Sequence, residues 1–245
     1  MKEIFSTLVN MKLYLIAALL FSSVFISSGQ VNYLVDSIEP SLLGKQDRKT
    51  IEKHLNAYSE SKTDTARFSR ISEMIDKLTD NAVASRYNEY LFSEIEKALK
   101  KANLSPSEIK KLKILYGGCL ISRAYYLEIA SEDDMAMKSN EEALKILVPL
   151  NDKKGIASAL INIGYLYEKQ NKFMLTLEYY QKALKLREEI KEYNGIVLSL
   201  SDIGYIHQEL GELDTAFAYY KRAIAAGEKH SGTDNIAFAY NNIAG

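Results

Sequence analysis

The sequence predicts an all-α fold built from consecutive antiparallel helical hairpins. Three observations lead to this expectation: only 3 Pro and 12 Gly interrupt the 245 residues, helix-favouring residues dominate, and short motifs recur at a fixed interval. With 47% apolar residues, the chain is also rich enough to bury a continuous core. A composition with so few helix breakers favours helices over a turn-rich sheet.

The amino terminus is expected to be an export signal that covers residues 1–29. Lys2 and Lys12 carry positive charge ahead of the apolar stretch 13–26, and small residues at 27–29 suit a cleavage site after Gly29. The competing interpretation is an uncleaved membrane anchor, although the stretch is shorter than the roughly 20 residues that a membrane-spanning helix needs. We therefore expect an exported, periplasmic or cell-envelope protein, or one that is membrane-anchored at full length.

Residues 30–112 are expected to form a helical N-terminal region of degenerate or capping hairpins. Amphipathic patterns near 45–60, 64–78 and 81–102 predict three helices. Ser105, Pro106 and Glu108 have the spacing of a capping box with proline at the first helical position. A long helix should therefore begin there and run to about Ala130.

The segment 113–245 repeats itself with a period of 40. Residues 163–165 (Ile-Gly-Tyr) return at 203–205, and residues 179–184 (YYQKAL) return as YYKRAI at 219–224. Such self-similarity indicates stacked structural units. The expected units are 113–152, 153–192, 193–232 and a truncated unit at 233–245, and the last of these suggests a fragment of a longer protein.

Each unit has the pattern of two amphipathic helices joined by a short turn. In the second unit Leu160, Ile163 and Tyr167 follow helical spacing, and Leu177 and Tyr180 lie on a second amphipathic helix. The polar segment 170–172 and the glycine-containing segment 210–212 suit the turns of antiparallel helix pairs. Each unit is therefore expected to be a helical hairpin.

The residues Leu160, Ile163-Gly164, Tyr167, Tyr180 and Ala183, with their copies 40 positions later, resemble the tetratricopeptide repeat. The resemblance implies a right-handed α-solenoid, a superhelix that binds other polypeptides. A period of 40, longer than the common period of about 34, is similar to repeats in the extracytoplasmic regions of bacterial signalling proteins. Arg123, Thr176 and His207 depart from the family pattern and are expected to weaken individual contacts.

If the first helices line the concave side, as the resemblance implies, one polar and one aromatic position per unit lie there in phase. Asparagine can both donate to and accept from a peptide backbone, and tyrosine offers apolar area with a polar tip. We therefore predict a peptide-binding ladder, against the alternative that these side chains only cap or solvate the repeats. The candidate residues are Asn162, Asp202, Asn242, Tyr125, Tyr165 and Tyr205.

The sequence carries no catalytic motif, and we expect no catalytic residue, cofactor or metal in this chain; a longer parent protein could still be an enzyme. The 31 basic and 32 acidic residues give a net charge of -1, so no nucleic acid partner is expected. The single Cys119 is expected to be a core residue. The expected partner is a protein or peptide of unknown identity, with membrane contact only through a signal, an anchor or a missing C-terminal part, and self-association open.

The resemblance implies a protein- or peptide-binding scaffold that serves as the input module of a larger bacterial signal-transduction protein. Such proteins continue into a histidine kinase, a nucleotide cyclase or a helix-turn-helix regulator. The alternative is a structural adaptor or a self-assembling component of an envelope complex.

Overall fold

The computed structural model describes residues 34–35, 42–230, 237 and 239–240. In these residues the only regular structure is helical, which confirms the all-α fold. The expected signal at 1–29, the candidate residue Asn242 and most of the unit at 233–245 lie outside the described residues.

Consecutive helices pack against one another along the described chain. The pairs α4–α5, α6–α7 and α8–α9 are the three repeat hairpins, preceded by α1, α2 and α3. The second and third N-terminal helices end earlier than the expected positions 78 and 102. The bounds are α1 Lys45–Glu60, α2 Asp64–Ile75, α3 Asn81–Leu99, α4 Pro106–Ile129, α5 Asp133–Leu150, α6 Lys153–Glu168, α7 Phe173–Ile190, α8 Tyr193–Glu209 and α9 Leu213–His230.

The predicted capping box at the start of α4 is confirmed. The Ser105 hydroxyl oxygen accepts a hydrogen bond from the Glu108 backbone N–H at 3.2 Å, and the Ser105 N–H donates to the Glu108 carboxylate at 2.9 Å. Two of the amide donors that a helix start leaves unpaired are satisfied in this way. The hydrogen bonds to Ser105 also lower the pKa of Glu108.

Five turns between the repeat helices share one geometry. A residue with positive φ stands at every twentieth position, namely Ser131, Asn151, Asn171, Lys191 and Gly211. The next residue donates its N–H to the carbonyl five positions back in every case, at 2.8–3.2 Å. This hydrogen bond and the left-handed residue define a Schellman ending, which stops each helix and turns the chain back. One period of the sequence therefore spans two such endings.

The recurring glycine of each first helix packs under a tyrosine of the second. A Cβ atom on Gly164 would lie 2.6 Å from the Tyr180 ring, and one on Gly204 would lie 2.8 Å from the Tyr220 ring. The Tyr180 hydroxyl donates to the Glu168 carboxylate at 2.7 Å. We call each such contact a Gly–Tyr pair. Only a residue without a side chain lets the ring approach so closely.

The three departures from the family pattern each have a partner of their own. The Thr176 hydroxyl, completely buried, donates to the Gly164 carbonyl at 3.3 Å. The Arg123 guanidinium stacks 3.8 Å above the Phe92 ring of α3, which ties the first repeat to the N-terminal helices. His207 stacks on Tyr219 with 5.3 Å between the ring centroids. Each of the three side chains therefore makes a contact of its own, and the expected weakening of individual contacts stays a prediction.

Cys119 is buried and free, as expected for a core residue. Burial raises the pKa of its thiol to about 12. The thiolate is therefore scarce at neutral pH, and this side chain behaves as a small apolar group. Within the described ranges, every helix is too short or too polar to span the hydrocarbon of a bilayer.

We expect Gly164→Ala to lower the free energy of unfolding by about 1–3 kcal/mol, the usual cost of overpacking a core. The added Cβ would lie 2.6 Å from Tyr180, so the ring or the helix has to shift. Urea unfolding of the full chain measures the change.

Gly118→Ala is the matched control, because Gly118 lies inside α4, is exposed and has no atom within 4 Å of its Cβ position. This variant should gain about 0.5–1 kcal/mol, the difference in helix propensity. Changes of the same sign and size in the two variants would contradict close packing at the Gly–Tyr pair.

Candidate functional site

A cavity of about 640 Å³ opens on the face formed by the first helices α4, α6 and α8. The structure brings five of the six predicted site residues together there, and their role in binding stays a prediction. The sixth, Asn242, lies outside the described residues. The five residues that line the cavity are Tyr125, Asn162, Tyr165, Asp202 and Tyr205.

The cavity lies where the first repeat lacks its Gly–Tyr pair. Ala124 and Asn140 precede Gly164 and Tyr180 by one full period and are their counterparts, and both line the cavity. Asparagine is much smaller than tyrosine, and the added methyl of Ala124 would crowd a ring. The space that a tyrosine would fill therefore stays open.

Asn140 also supplies a polar partner for the predicted ladder. Its side-chain oxygen accepts a hydrogen bond from the Asn162 amide at 3.3 Å, and its own amide donates to the Ala136 carbonyl at 3.1 Å. One donor of Asn162 is therefore held by the neighbouring repeat. The oxygen of Asn162 and its second N–H are left for a ligand.

Asp202 occupies the equivalent place one repeat later, but its surroundings differ. The residue that corresponds to Asn140 is Tyr180, whose hydroxyl is already donated to Glu168. As a result, Asp202 accepts no hydrogen bond from any residue that the structure describes. Its side chain lines the cavity and is otherwise surrounded by protein atoms, although it keeps some exposed surface.

Burial and, to a smaller extent, the nearby carboxylate of Glu168 raise the pKa of Asp202 to about 7, against the opposing positive charge of Arg187. Arg187 does not neutralise Asp202 at close range, because its guanidinium donates to the Gly195 carbonyl at 2.9 Å and to the Ser199 hydroxyl at 2.7 Å. Asp202 is therefore a poorly compensated charge at neutral pH. Groups with such shifted pKa values are typical of functional sites.

Two further carboxylates of the cavity were missed by sequence reasoning. Glu128 and Glu168 are separated by one full period, and each stands three positions after a site tyrosine. This recurrent position in the repeat could have identified them from the sequence. Burial raises the pKa of Glu168, while the hydrogen bond from Tyr180 lowers it. Glu128 forms an ion pair with Lys169 at 3.1 Å.

The site tyrosines combine accessible rings with this negative charge. Tyr125 and Tyr165 are 49% and 42% exposed. Tyr205 is partly buried, and burial together with the carboxylate of Glu209 raises the pKa of its hydroxyl. The hydroxyl of Tyr205 therefore stays a neutral hydrogen-bonding group at pH 7. Among the described residues, no three His, Cys, Asp or Glu side chains are grouped closely enough to hold a metal ion.

We expect Asp202→Asn to stabilise the chain at pH 8 but not at pH 4. The folded-state pKa of about 7 lies above the unfolded value of about 3.9. The folded state therefore binds more protons between these values, and stability falls as the pH rises through them. Asparagine removes this loss, which should amount to about 1–2 kcal/mol because the carboxylate keeps contact with solvent.

Urea unfolding of both proteins at pH 4 and pH 8 measures the difference. Glu94→Gln is the matched control, because Glu94 is ion-paired with Lys97 on the surface of α3. This control should show no gain at pH 8. A variant Asp202→Asn that is no more stable than the parent at pH 8 would refute the account of this carboxylate.

Comparison with known proteins agrees with the helical architecture. Among the solved structures that share the fold is BtubC (BKLC) from P. vanneervenii, with a TM-score of 0.58 and 17% identity over 82% of this chain and 84% of that chain. Aspartyl phosphate phosphatase F from Bacillus subtilis has a TM-score of 0.62 and 13% identity over 80% of this chain and 54% of that chain. The apo form of RapI has a TM-score of 0.57 and 14% identity over 80% of this chain and 74% of that chain. At these identities the likeness extends to the fold alone.

No curated protein matches the sequence. The family model described as tetratricopeptide repeat matches residues 155–229, which include nearly all of α6 to α9. The match covers the two repeats that contain the Gly–Tyr pairs. Residues 155–229 are therefore tetratricopeptide repeats.

Proposed function

We propose that this chain binds an extended segment of another polypeptide along the face of α4, α6 and α8. The observation that carries the proposal is the cavity on this face, which five residues predicted from the repeat phase line together. Cavities lined by aromatic rings and a few convergent polar groups are the usual form of a binding site.

The spacing of the helices suits an extended peptide. Packed helices lie about 8–10 Å apart, and an extended chain advances about 3.3 Å per residue. Contacts from α4 and α6, which pack against each other, would therefore meet roughly every third residue of the ligand. Asn162, held in place by Asn140, can bond a peptide backbone whatever its sequence.

We propose that the chain is a binding module without catalysis of its own. The name of one structural neighbour states a phosphatase activity, but at 13% identity that likeness carries only the fold. The cavity residues combine carboxylates, amides and tyrosines, which suit recognition of a polypeptide by hydrogen bonds and apolar contact.

We further propose that the binding face is the input module of an exported bacterial signal-transduction protein, with a histidine kinase, a nucleotide cyclase or a helix-turn-helix regulator as its output. The support is the resemblance carried by the long repeat period and the signal-like pattern of residues 1–29. A self-assembling envelope component would instead show a mass that rises with protein concentration.

We expect peptides selected against the full chain from a random dodecapeptide library to lose binding when the cavity is filled. The variant Ala124→Gly/Asn140→Tyr recreates the Gly–Tyr pair of the later repeats, so a ring should occupy the space now bounded by these two residues. We expect the affinity to fall at least tenfold, about 1.4 kcal/mol, and the melting temperature to stay close to that of the parent chain. Fluorescence anisotropy and thermal unfolding measure the two quantities.

A second variant, Asn162→Ala/Asp202→Ala, tests the predicted ladder without filling the cavity. Its folded state is checked by circular dichroism. Selection of no peptide above background, or equal affinity of the selected peptides for the parent and both folded variants, would rule out binding at this face.

We expect residues 1–60 to export a reporter. Alkaline phosphatase, which needs an oxidising compartment for its disulfides, should be active when fused after residue 60 and inactive when residues 1–29 are removed. Equal activity of the two fusions in a bacterial host would refute export by this segment.

A further inference from the structure

The residues that line the cavity carry negative charge without a matching positive charge. Glu128, Glu168 and Asp202 line it, and among the described lining residues there is no Lys, Arg or His. Glu128 is compensated from outside by Lys169, at 3.1 Å. The excess therefore lies with Glu168 and Asp202, on the neighbouring first helices α6 and α8.

Asp202 is the group whose charge is least satisfied. It accepts no hydrogen bond within the described part of the chain, whereas Glu168 accepts one from Tyr180 at 2.7 Å. A carboxylate held among protein atoms loses much of its hydration, and a cation at the same site would recover the lost interaction. The electrostatics of the cavity therefore favour a positively charged ligand group.

The tyrosines favour the same kind of group. Tyr165 and Tyr205 line the cavity, and each lies three positions from a cavity carboxylate on its own helix, Glu168 on α6 and Asp202 on α8, so ring and carboxylate are helix neighbours. The face of an aromatic ring attracts a cation, and a planar guanidinium can stack on it while it donates to carboxylates. Two independent features of the cavity thus select one ligand chemistry.

We propose that the cavity is a specificity site for a basic side chain, arginine before lysine, of the polypeptide that binds along α4, α6 and α8. The inference rests on the proposed function, because the in-phase residues Tyr125 and Asn162 at the cavity give the rest of the ligand its contacts. The cation therefore belongs to a peptide rather than to a free small molecule.

Recognition of the basic side chain depends on pH through Asp202, whose pKa is raised to about 7 by burial. The charged and titratable groups that face Asp202 are Glu168 from α6, Tyr180 and Arg187 from α7, and Tyr220 from α9. The carboxylate is mostly neutral at pH 5.5 and mostly charged at pH 8. A cationic side chain is therefore held more tightly at the higher pH.

The experiment uses the full chain and the peptides selected from the random library, acetylated and amidated so that they carry no terminal charge. Each selected peptide is resynthesised with its Arg or Lys replaced by citrulline or norleucine, which keep the size and remove the charge. The expected loss of affinity at pH 8 is about tenfold, and it shrinks at pH 5.5. In Asp202→Asn, both the loss and its pH dependence largely disappear.

The control variant Glu94→Gln removes a carboxylate outside the cavity and should keep the full preference. Selected peptides that bind through the cavity but carry no basic residue, or that keep their preference in Asp202→Asn, overturn this inference and leave the proposed function standing. Free arginine amide that binds as tightly as the peptides also overturns it. Selection of no peptide at all overturns both.

Discussion

The close contact between a helix glycine and a tyrosine ring is the constraint on which the repeat depends. At Gly164 and Gly204 the ring of the facing tyrosine occupies the space of a missing side chain. This contact sets how near the two helices of a hairpin approach, and hence where the residues on the opposite side of the first helix stand. Where the pair is replaced by Ala124 and Asn140, the hairpin still forms, but the ring volume is left empty. The candidate site is therefore a consequence of one local exception to the packing rule.

The turns explain why the missing Gly–Tyr pair of the first repeat leaves the following repeats in register. Left-handed residues at every twentieth position, from Ser131 to Gly211, end each helix through the same hydrogen bond. Because helix length and turn geometry are fixed by the backbone, a change of side chains in one repeat does not shift the register of the next. Tyr125, Tyr165 and Tyr205 consequently keep the same place on successive helices although the residues beneath them differ.

Within the repeats, the features that recur with the period could be predicted from the sequence, and those that break the period could not. Recurrent apolar positions define helix faces, so the helices, their hairpins and the shared face of Asn162 and Asp202 follow from spacing alone. The cavity does not follow from spacing, because it arises from the smaller side-chain volume of Asn140 at the position that Tyr180 occupies one period later. Asn162 and Asp202 differ in their hydrogen bonds between helices. The Asn162 amide donates to Asn140 at 3.3 Å, whereas Asp202 accepts no hydrogen bond from a described residue. Linear patterns carry no information on such contacts.

The long helix α4 has a consequence for the cooperativity of the chain. It begins at Pro106, ahead of the first expected repeat boundary at 113, and packs against α2 and α3 as well as against α5 and α6. In an array stabilised by contacts between neighbouring helices, a helix that packs on two segments couples them, because unfolding of one segment removes contacts that hold this helix against the other. The N-terminal helices and the repeats should therefore melt together, and proteolytic trimming at residue 113 would leave a shortened α4 without its cap instead of releasing an independent array.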